Sequence, residues 1–420
     1  MNPRGSGDWM RSSSYAAMSK RARQSVVVLI AAILLFGPAL SVHFSAPSHR
    51  TIERRKCIKG GRARTANGSE LDVYLVWGDV FRPKAIHRDM GFDLVCVSCY
   101  FDPIAVKRGK LLPSNPLLNS AIAASTDSEE ELQYLLGNIF EALEKSKQVV
   151  GRFMSGGKAL PGEGDQLVPF TWVAYRGSRM SSQQGVKYLA ALPLFNPDLL
   201  FGRVSELETR KRLAVNVETV TRRTMDYASE DLDPTVHSVA FAALGSTSHR
   251  GGDSRYFLQF SEGFLSILRG IEQSRPTKHL DRAYLVAYDR HRDVFKEDAL
   301  DALQEVKRQL VLKSLASSRL REVTGGSLGV LLFAFCLLSY RQYARIWRES
   351  NRWTFVATLL GFAGAAVGVS WFGALYAFEA FHLGSTGFVS TYLILTGLCL
   401  VAIRWMGKRL PRLSKTKPVH

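Results

Sequence analysis

The stretch HSVAFAALGSTSHRGGDSRYFLQF, residues 237 to 260, sets Gly245, Ser246, Thr247 and Ser248 directly after a run that reads as a buried strand. A helix-periodic segment follows it. A strand that yields to glycine and small hydroxyl residues before a helix turns backbone N–H groups, hydroxyls and a helix N-terminus toward one place, which is an arrangement suited to phosphate. Gly251 and Gly252 let backbone approach a ligand closely, and His249 and Arg250 offer charge to a phosphate. The same residues also suit a plain strand-to-helix turn and an exposed basic loop. Elsewhere, Asp79 follows Gly78 at the end of one strand-like run, and Tyr288 and Phe295 flank the end of another. An Asp after Gly also forms turns, and aromatic residues at strand ends also pack cores.

Several chemistries are not encoded. There is no GxxxxGK[ST] phosphate loop, no HExxH, no paired CxxC and no evident Ser-His-Asp set. The five cysteines are Cys57, Cys96, Cys99, Cys336 and Cys399. Cys96 and Cys99 stand three apart within a strand-like run, so they point to opposite faces and do not share a metal. Cys336 and Cys399 lie in apolar runs and read as small hydrophobes. No metal ligands and no catalytic residues are assigned, and enzyme activity is the less economical expectation.

Elements that would position these residues follow from periodicity. Strands are expected at 71–81, 92–101, 168–177, 186–195, 236–243 and 281–290. Helices are expected at 129–150, near 206–228, at 254–269 and at 295–322. Leu132, Leu135, Ile139 and Leu143 give the first of these helices its apolar stripe. The order β, β, α, β, β, α, β, α, β, α predicts an α/β fold, a mixed sheet flanked by helices on both faces. Ligands in such folds sit at the carboxyl ends of the strands.

The chain has 420 residues and a formal net charge of +18, with 46% hydrophobic residues. Much of the basic excess lies beside four apolar segments, 25–44, 325–340, 353–378 and 387–405, which read as one N-terminal and three C-terminal transmembrane helices. The expected order is a basic tail (1–24), a transmembrane helix (25–44), a basic linker (45–68), an α/β domain (69–322), three transmembrane helices and a basic tail (406–420). The charge is thereby assigned to membrane flanks rather than to nucleic acid. Gly361, Gly364, Ala365 and Gly368 suit close helix approach, and hence a homo-oligomer formed through the spans. The expected location is a membrane, multi-pass, in the bacterial inner membrane. Loop 341–352 and the C-terminal tail are arginine- and lysine-rich, which places them in the cytoplasm and residues 45–324 outside. Arg50, Arg54, Arg55, Lys56, Lys59, Arg62 and Arg64 after the first segment point the other way, and so does a nucleotide ligand.

The run VAFAALGSTSHRGG, the strand ending in VAYD and the helix opening at Phe295 resemble the C-terminal half of a macro domain. VWGDVF looks like that family's early Gly-Asp, while PGEGDQLVPFTW and KYLAALP are similar to its middle. The resemblance spans residues 69 to 312. It implies a macro-like fold whose ligand is ADP-ribose or a derivative, with no other cofactor. It also implies that Asp79, with Val80, receives the adenine amino group and that Gly245, Ser246, Thr247 and Ser248 cradle the diphosphate. Gly251 and Gly252 would close on the ligand, and Tyr288 and Phe295 would wall ribose and adenine. Active members of the family carry an Asn-rich segment where this chain has DLVCVSCYFDP, with Val97 and Tyr100 at the amide positions. No Gly-Gly-Gly run follows it; the nearest is MSGGKALPGEG at 154–164. The resemblance therefore implies binding without turnover. Joined to membrane helices, it is similar to effectors of bacterial nucleotide-based immune signalling. Two alternatives stay open: an ADP-ribosyl hydrolase acting at a membrane, and an envelope domain that binds other proteins.

Overall fold

A computed structural model describes residues 40–101, 170–173, 182–195, 204–246, 254–288, 293–317 and 352–409, apart from single positions such as 231, 233, 277, 278 and 382, together with 128 and 130. The chain divides into two compact units, one of residues 46–311 and one of residues 1–45 with 312–420. The expected helix at 129–150 lies outside the described residues but for Glu130.

The first unit is built on a seven-stranded sheet: β1 (Cys57–Arg64), β2 (Glu70–Trp77), β3 (Leu94–Phe101), β4 (Phe170–Val173), β5 (Tyr188–Phe195), β6 (Ser238–Ala242) and β7 (Arg282–Ala287). Their spatial order is β1-β2-β7-β6-β3-β5-β4. The five inner strands run parallel, and the edge strands β1 and β4 are antiparallel to their neighbours. All five residues of β6 are buried, as are the last five of β7. A strand buried on both faces must be covered on both, which is why these segments read as unbroken apolar runs rather than alternating ones.

The helices of this unit are α1 (His49–Arg55), α2 (Pro83–Ile86), α3 (Glu206–Glu230), α4 (Phe260–Gln273) and α5 (Asp293–Ser317), the last of which contains the boundary between units. Gly270 sets how closely α3 and α4 approach, since a Cβ there would stand 2.5 Å from the Glu218 carbonyl oxygen and 2.7 Å from Thr221 Cβ. Any larger residue would force the helices apart.

The expected basic linker contains both α1 and β1. Strand β1 was not legible because its sequence, CIKGGRAR, carries charge where a buried strand would carry apolar residues. Those charges mark an edge. Lys59 and Arg62 reach Asp72, and Arg62 also reaches Glu70 at 2.8 Å. Charged side chains on an edge strand discourage further strand addition. Part of the basic excess that suggested a membrane flank is thus neutralised across a strand pair.

At the amino ends of the strands, Asp93 ties three elements together. Its Oδ2 accepts from the His237 backbone N–H at 3.0 Å and from the Ser238 hydroxyl at 2.9 Å. Its Oδ1 meets Lys187 Nζ at 2.8 Å, and its carbonyl accepts from the N–H groups of Lys187 and Tyr188. The starts of β3, β5 and β6 are therefore held to one residue.

The second unit contains α6 (Arg352–Ala380) and α7 (Ser385–Arg409). Among the described residues no helix is long and apolar enough to cross a membrane. This overturns the four transmembrane helices of the expected fold class. The multi-pass membrane location and the lipid bilayer as partner go with them, as does the route to oligomers through the spans. Two of the four segments, 325–340 and nearly all of 25–44, lie outside the described residues. In the other two, some of the apolar side chains pack on one another, while Tyr376, Ile394, Leu398 and Val401 stay exposed. Ala374, Leu375 and Phe378 of α6 are buried with Phe388 and Tyr392 of α7, and Trp371 stands edge-on to both rings of the latter pair. The small residue that brings these helices together is Gly373, where a Cβ would lie 2.8 Å from Leu395 Cδ1; around Gly364 there is open space.

Two measurements test this account. Asp93→Ala strands the donors of three segments and is expected to lower stability by about 2–4 kcal/mol in urea denaturation, the range for breaking several charge-assisted hydrogen bonds. Asp72 is held below the usual carboxylate range, first by its hydrogen bond from Lys59. A depressed carboxylate adds stability above its unfolded pKa of about 4 and loses it as pH falls through the lower folded value. Asp72→Asn should therefore remove part of the acid-side fall in stability while leaving the curve above neutral pH parallel to wild type.

Candidate functional site

The parallel core fixes one edge where loops meet, at the carboxyl ends of its strands. Register pairs Trp77 with Ala287 and Val286 with Ala242. The residues just beyond, Gly78 and Asp79 after β2, Tyr288 after β7, and Ala243 to Ser246 after β6, thus emerge at adjacent stations. Neighbouring strands stand about 4.8 Å apart, so the ends of β2 and β6 lie roughly 10 Å apart with that of β7 between them. Pairing of β3 with β6 stops at Cys96 and Phe241, although β3 runs on to Phe101 beside β5. The sheet opens on this same edge.

At the β2 station, the Gly78 N–H donates to the Ala287 carbonyl at 2.9 Å. Gly78 is required by space, since a Cβ there would sit 2.5 Å from Ile86 Cγ1 of α2. Asp79 Oδ1 accepts from the Phe81 N–H at 3.0 Å, and the Arg82 N–H donates to the Asp79 carbonyl at 3.0 Å. The turn reading of Asp79 is realised on one of its oxygens. The other, Oδ2, faces Arg82 Nε at 3.9 Å, and the Asp79 side chain is only 16% exposed. Val80 turns its side chain into the core, as does Phe81.

At the β6 station, Gly245 has φ of +70° and is buried, and a Cβ would press within 3.0 Å of both Leu258 and Val217. Its carbonyl accepts from the Leu258 N–H at 3.1 Å, while the Ser246 hydroxyl donates to the Ala243 carbonyl at 2.8 Å. Ser246 and Leu258 form an isolated parallel bridge. The segment between them is therefore pinned at both ends. Thr247, Ser248, His249, Arg250, Gly251 and Gly252 lie outside the described residues.

Helix α4 starts at Phe260, later than the expected 254; a short 3₁₀ turn at Ser254–Tyr256 precedes it. Its N-terminus closes on itself. The Gln259 side chain accepts from the Glu262 backbone N–H, and Glu262 Oε2 accepts from the Gln259 backbone N–H at 2.9 Å. Arg210 of α3 forks onto the same carboxylate. A helix end already occupied by a carboxylate is not the place for a phosphate. Any anion at this station must be held by loop amides and hydroxyls instead. The capping-box spacing of QFSE at 259–262 carried that signal in the sequence.

Tyr288 is half-buried just past β7, and Phe295 is half-buried against the core from the first turn of α5. Cys96, at the centre of β3, is fully buried, and desolvation pushes its thiol well above the ordinary range. A thiol so placed is a poor nucleophile and a poor metal ligand. Among the described residues no group of three or more His, Cys, Asp or Glu stands together as a metal site.

The fold defines an α/β module whose loops gather along one edge, at the carboxyl ends of a parallel core. No protein-family model matches the chain, and no curated protein does. Among solved structures, one mutant of the Oceanobacillus iheyensis macrodomain is similar over 61% of this chain and 94% of its own, at 11% identity and a TM-score of 0.33. A second mutant of that macrodomain covers 60% and 98%, at 8% identity and the same score. At that score the likeness decides nothing about the site, which stands on its own geometry.

Gly245→Ala is expected to cost about 1–3 kcal/mol, from the left-handed backbone it would impose on a side chain and the crowding against Leu258 and Val217. Denaturant unfolding of the variant beside wild type reads this directly.

Proposed function

We propose that residues 46–311 form a macro-like domain that binds an ADP-ribose-type nucleotide along the carboxyl edge of the sheet. The observation that carries this reading is the order of the stations. Strands β2, β7 and β6 are consecutive, so an amino-group acceptor (Asp79), an aromatic side chain (Tyr288) and a pinned Gly-Ser loop (Gly245 and Ser246) follow one another over roughly 10 Å. A base at Asp79, a ribose beside Tyr288 and a diphosphate at the Gly245 loop would lie along that line in the order in which the nucleotide is bonded.

Thr247, Ser248, Gly251 and Gly252 belong to the same proposed cradle, and Phe295 supports the base side. Binding rather than turnover is favoured because Val97, at a position where catalytic relatives are expected to carry an amide, is fully buried among apolar residues. A buried isopropyl group neither orients water nor holds a ribose hydroxyl. The reading extends to a sensor or effector of bacterial nucleotide-based immune signalling, with the α6–α7 unit as its output.

Asp79→Asn separates the two uses of that side chain. Its amide oxygen can still accept from Phe81, while its NH₂ group would face the nucleotide's own amino donor. Calorimetry on the full chain should show ADP-ribose binding weakened about tenfold or more, with an unchanged melting temperature, as expected when one buried hydrogen bond becomes a donor–donor contact. Failure of wild type to bind ADP-ribose at millimolar concentration would overturn the reading.

A further inference from the structure

Helix α7 has two apolar faces, and α6 covers one of them. Phe388 and Tyr392, one turn apart, are buried with Ala374, Leu375 and Phe378 of α6. At 3.6 residues per turn, Ile394, Leu398 and Val401 fall together on the opposite side. There they are 63%, 59% and 65% exposed. Gly397 lies between this row and Leu393, itself 40% exposed, and a Cβ at Gly397 would meet nothing within 4 Å. The face is thus a shallow groove, branched side chains on either side of bare backbone. A row of this spacing is what a helix ordinarily buries.

The N-terminal part of the chain arrives at the same helix. Residues 40–44 are helical, and Val42, 2% exposed, is buried in one cluster with Phe388 and Tyr392. The polypeptide before Leu40 therefore departs from a point already packed near the start of α7. From Phe388 to Val401 is about 20 Å of helix. The segment upstream, SVVVLIAAILLFGPA at 25–39, carries no charge and no polar side chain after Ser25. It spans about 22 Å as a helix and more when extended, enough to run the length of the face. Gly37 and Pro38 permit a change of direction before that run.

We propose that residues 25–39 dock on the Ile394–Leu398–Val401 face of α7 and shield it from second copies of the chain. A segment tethered a few residues from its site is presented at an effective concentration on the order of millimolar, which a second copy at micromolar concentration does not match. Docking removes from water two apolar surfaces at once. Withdrawal of the segment uncovers an apolar strip on which copies associate.

The test is photo-cross-linking of the full chain with benzoylphenylalanine in place of Leu398. It is run in buffer and with vesicles of phosphatidylethanolamine and phosphatidylglycerol, and adducts are mapped by mass spectrometry. Leu398 is exposed, so melting should match wild type; if it does not, Val401 carries the probe instead. The expected product is a monomer in which α7 is joined to a peptide from residues 25–39, with or without vesicles. Ile30→Asp, Ile33→Asp and Leu35→Asp, introduced together, put charge around the segment. The adduct should then fall about tenfold or more, because an unpaired carboxylate resists burial, and sedimentation should shift toward dimer. A main adduct to a second copy, to lipid or to residues outside 25–39 overturns the proposal. So does the absence of any adduct, or a triple variant that keeps it.

Discussion

A single carboxylate sets the geometry on which everything at the far edge depends. Asp93 gathers the first residues of β3, β5 and β6 through its side chain and its carbonyl, and Lys187 supplies the opposing charge. Parallel strands lack the hairpin turns that fix register locally, so their alignment must come from long-range contacts. With the amino ends tied, each strand's carboxyl end falls at a determined height. A slip of one residue in β6 would turn Gly245 and Ser246 to the opposite face and bring the wrong side chains to the edge.

The inner strands could be read from the sequence because burial on both faces leaves nearly continuous apolar runs. SVAFA and RAYLVA are of this kind, and a mixed α/β sheet flanked by helices followed from their alternation with amphipathic segments. Strand β1 escaped because an edge strand answers to solvent and to cross-strand charge, which Lys59 and Arg62 satisfy with acids on β2. The apolar C-terminal segments misled for the converse reason. Hydropathy counts methyl groups without asking what they touch: Phe378, Phe388 and Tyr392 are buried together, while Ile394, Leu398 and Val401 are exposed.

The edge itself was partly legible. Gly78 and Gly245 stood out as glycines at strand ends, and both are needed there, one for space and one for its left-handed backbone. The helix N-terminus that first suggested a phosphate is occupied by Glu262, because the residues after the loop cap the helix before any ligand can. Arg82 had no signal at all. Its place beside Asp79 arises only from the turn that brings it back, a relation of three dimensions that composition and spacing do not carry.

The pinning of the segment between Ser246 and Leu258 has an evolutionary corollary. Its two ends are sealed by the Gly245–Leu258 main-chain hydrogen bond and the parallel bridge, and Tyr256 and Phe257 are buried on the far side, so the scaffold fixes the points where residues 247–253 leave and rejoin it. Closure entropy grows only logarithmically with length, with each doubling adding about 0.6 kcal/mol. Insertions, deletions and rewritten side chains within 247–253 would leave the fold nearly as stable as before. Selection could retune the tail-end preferences of such a module by editing residues 247–253, while the sheet that presents them stays unchanged.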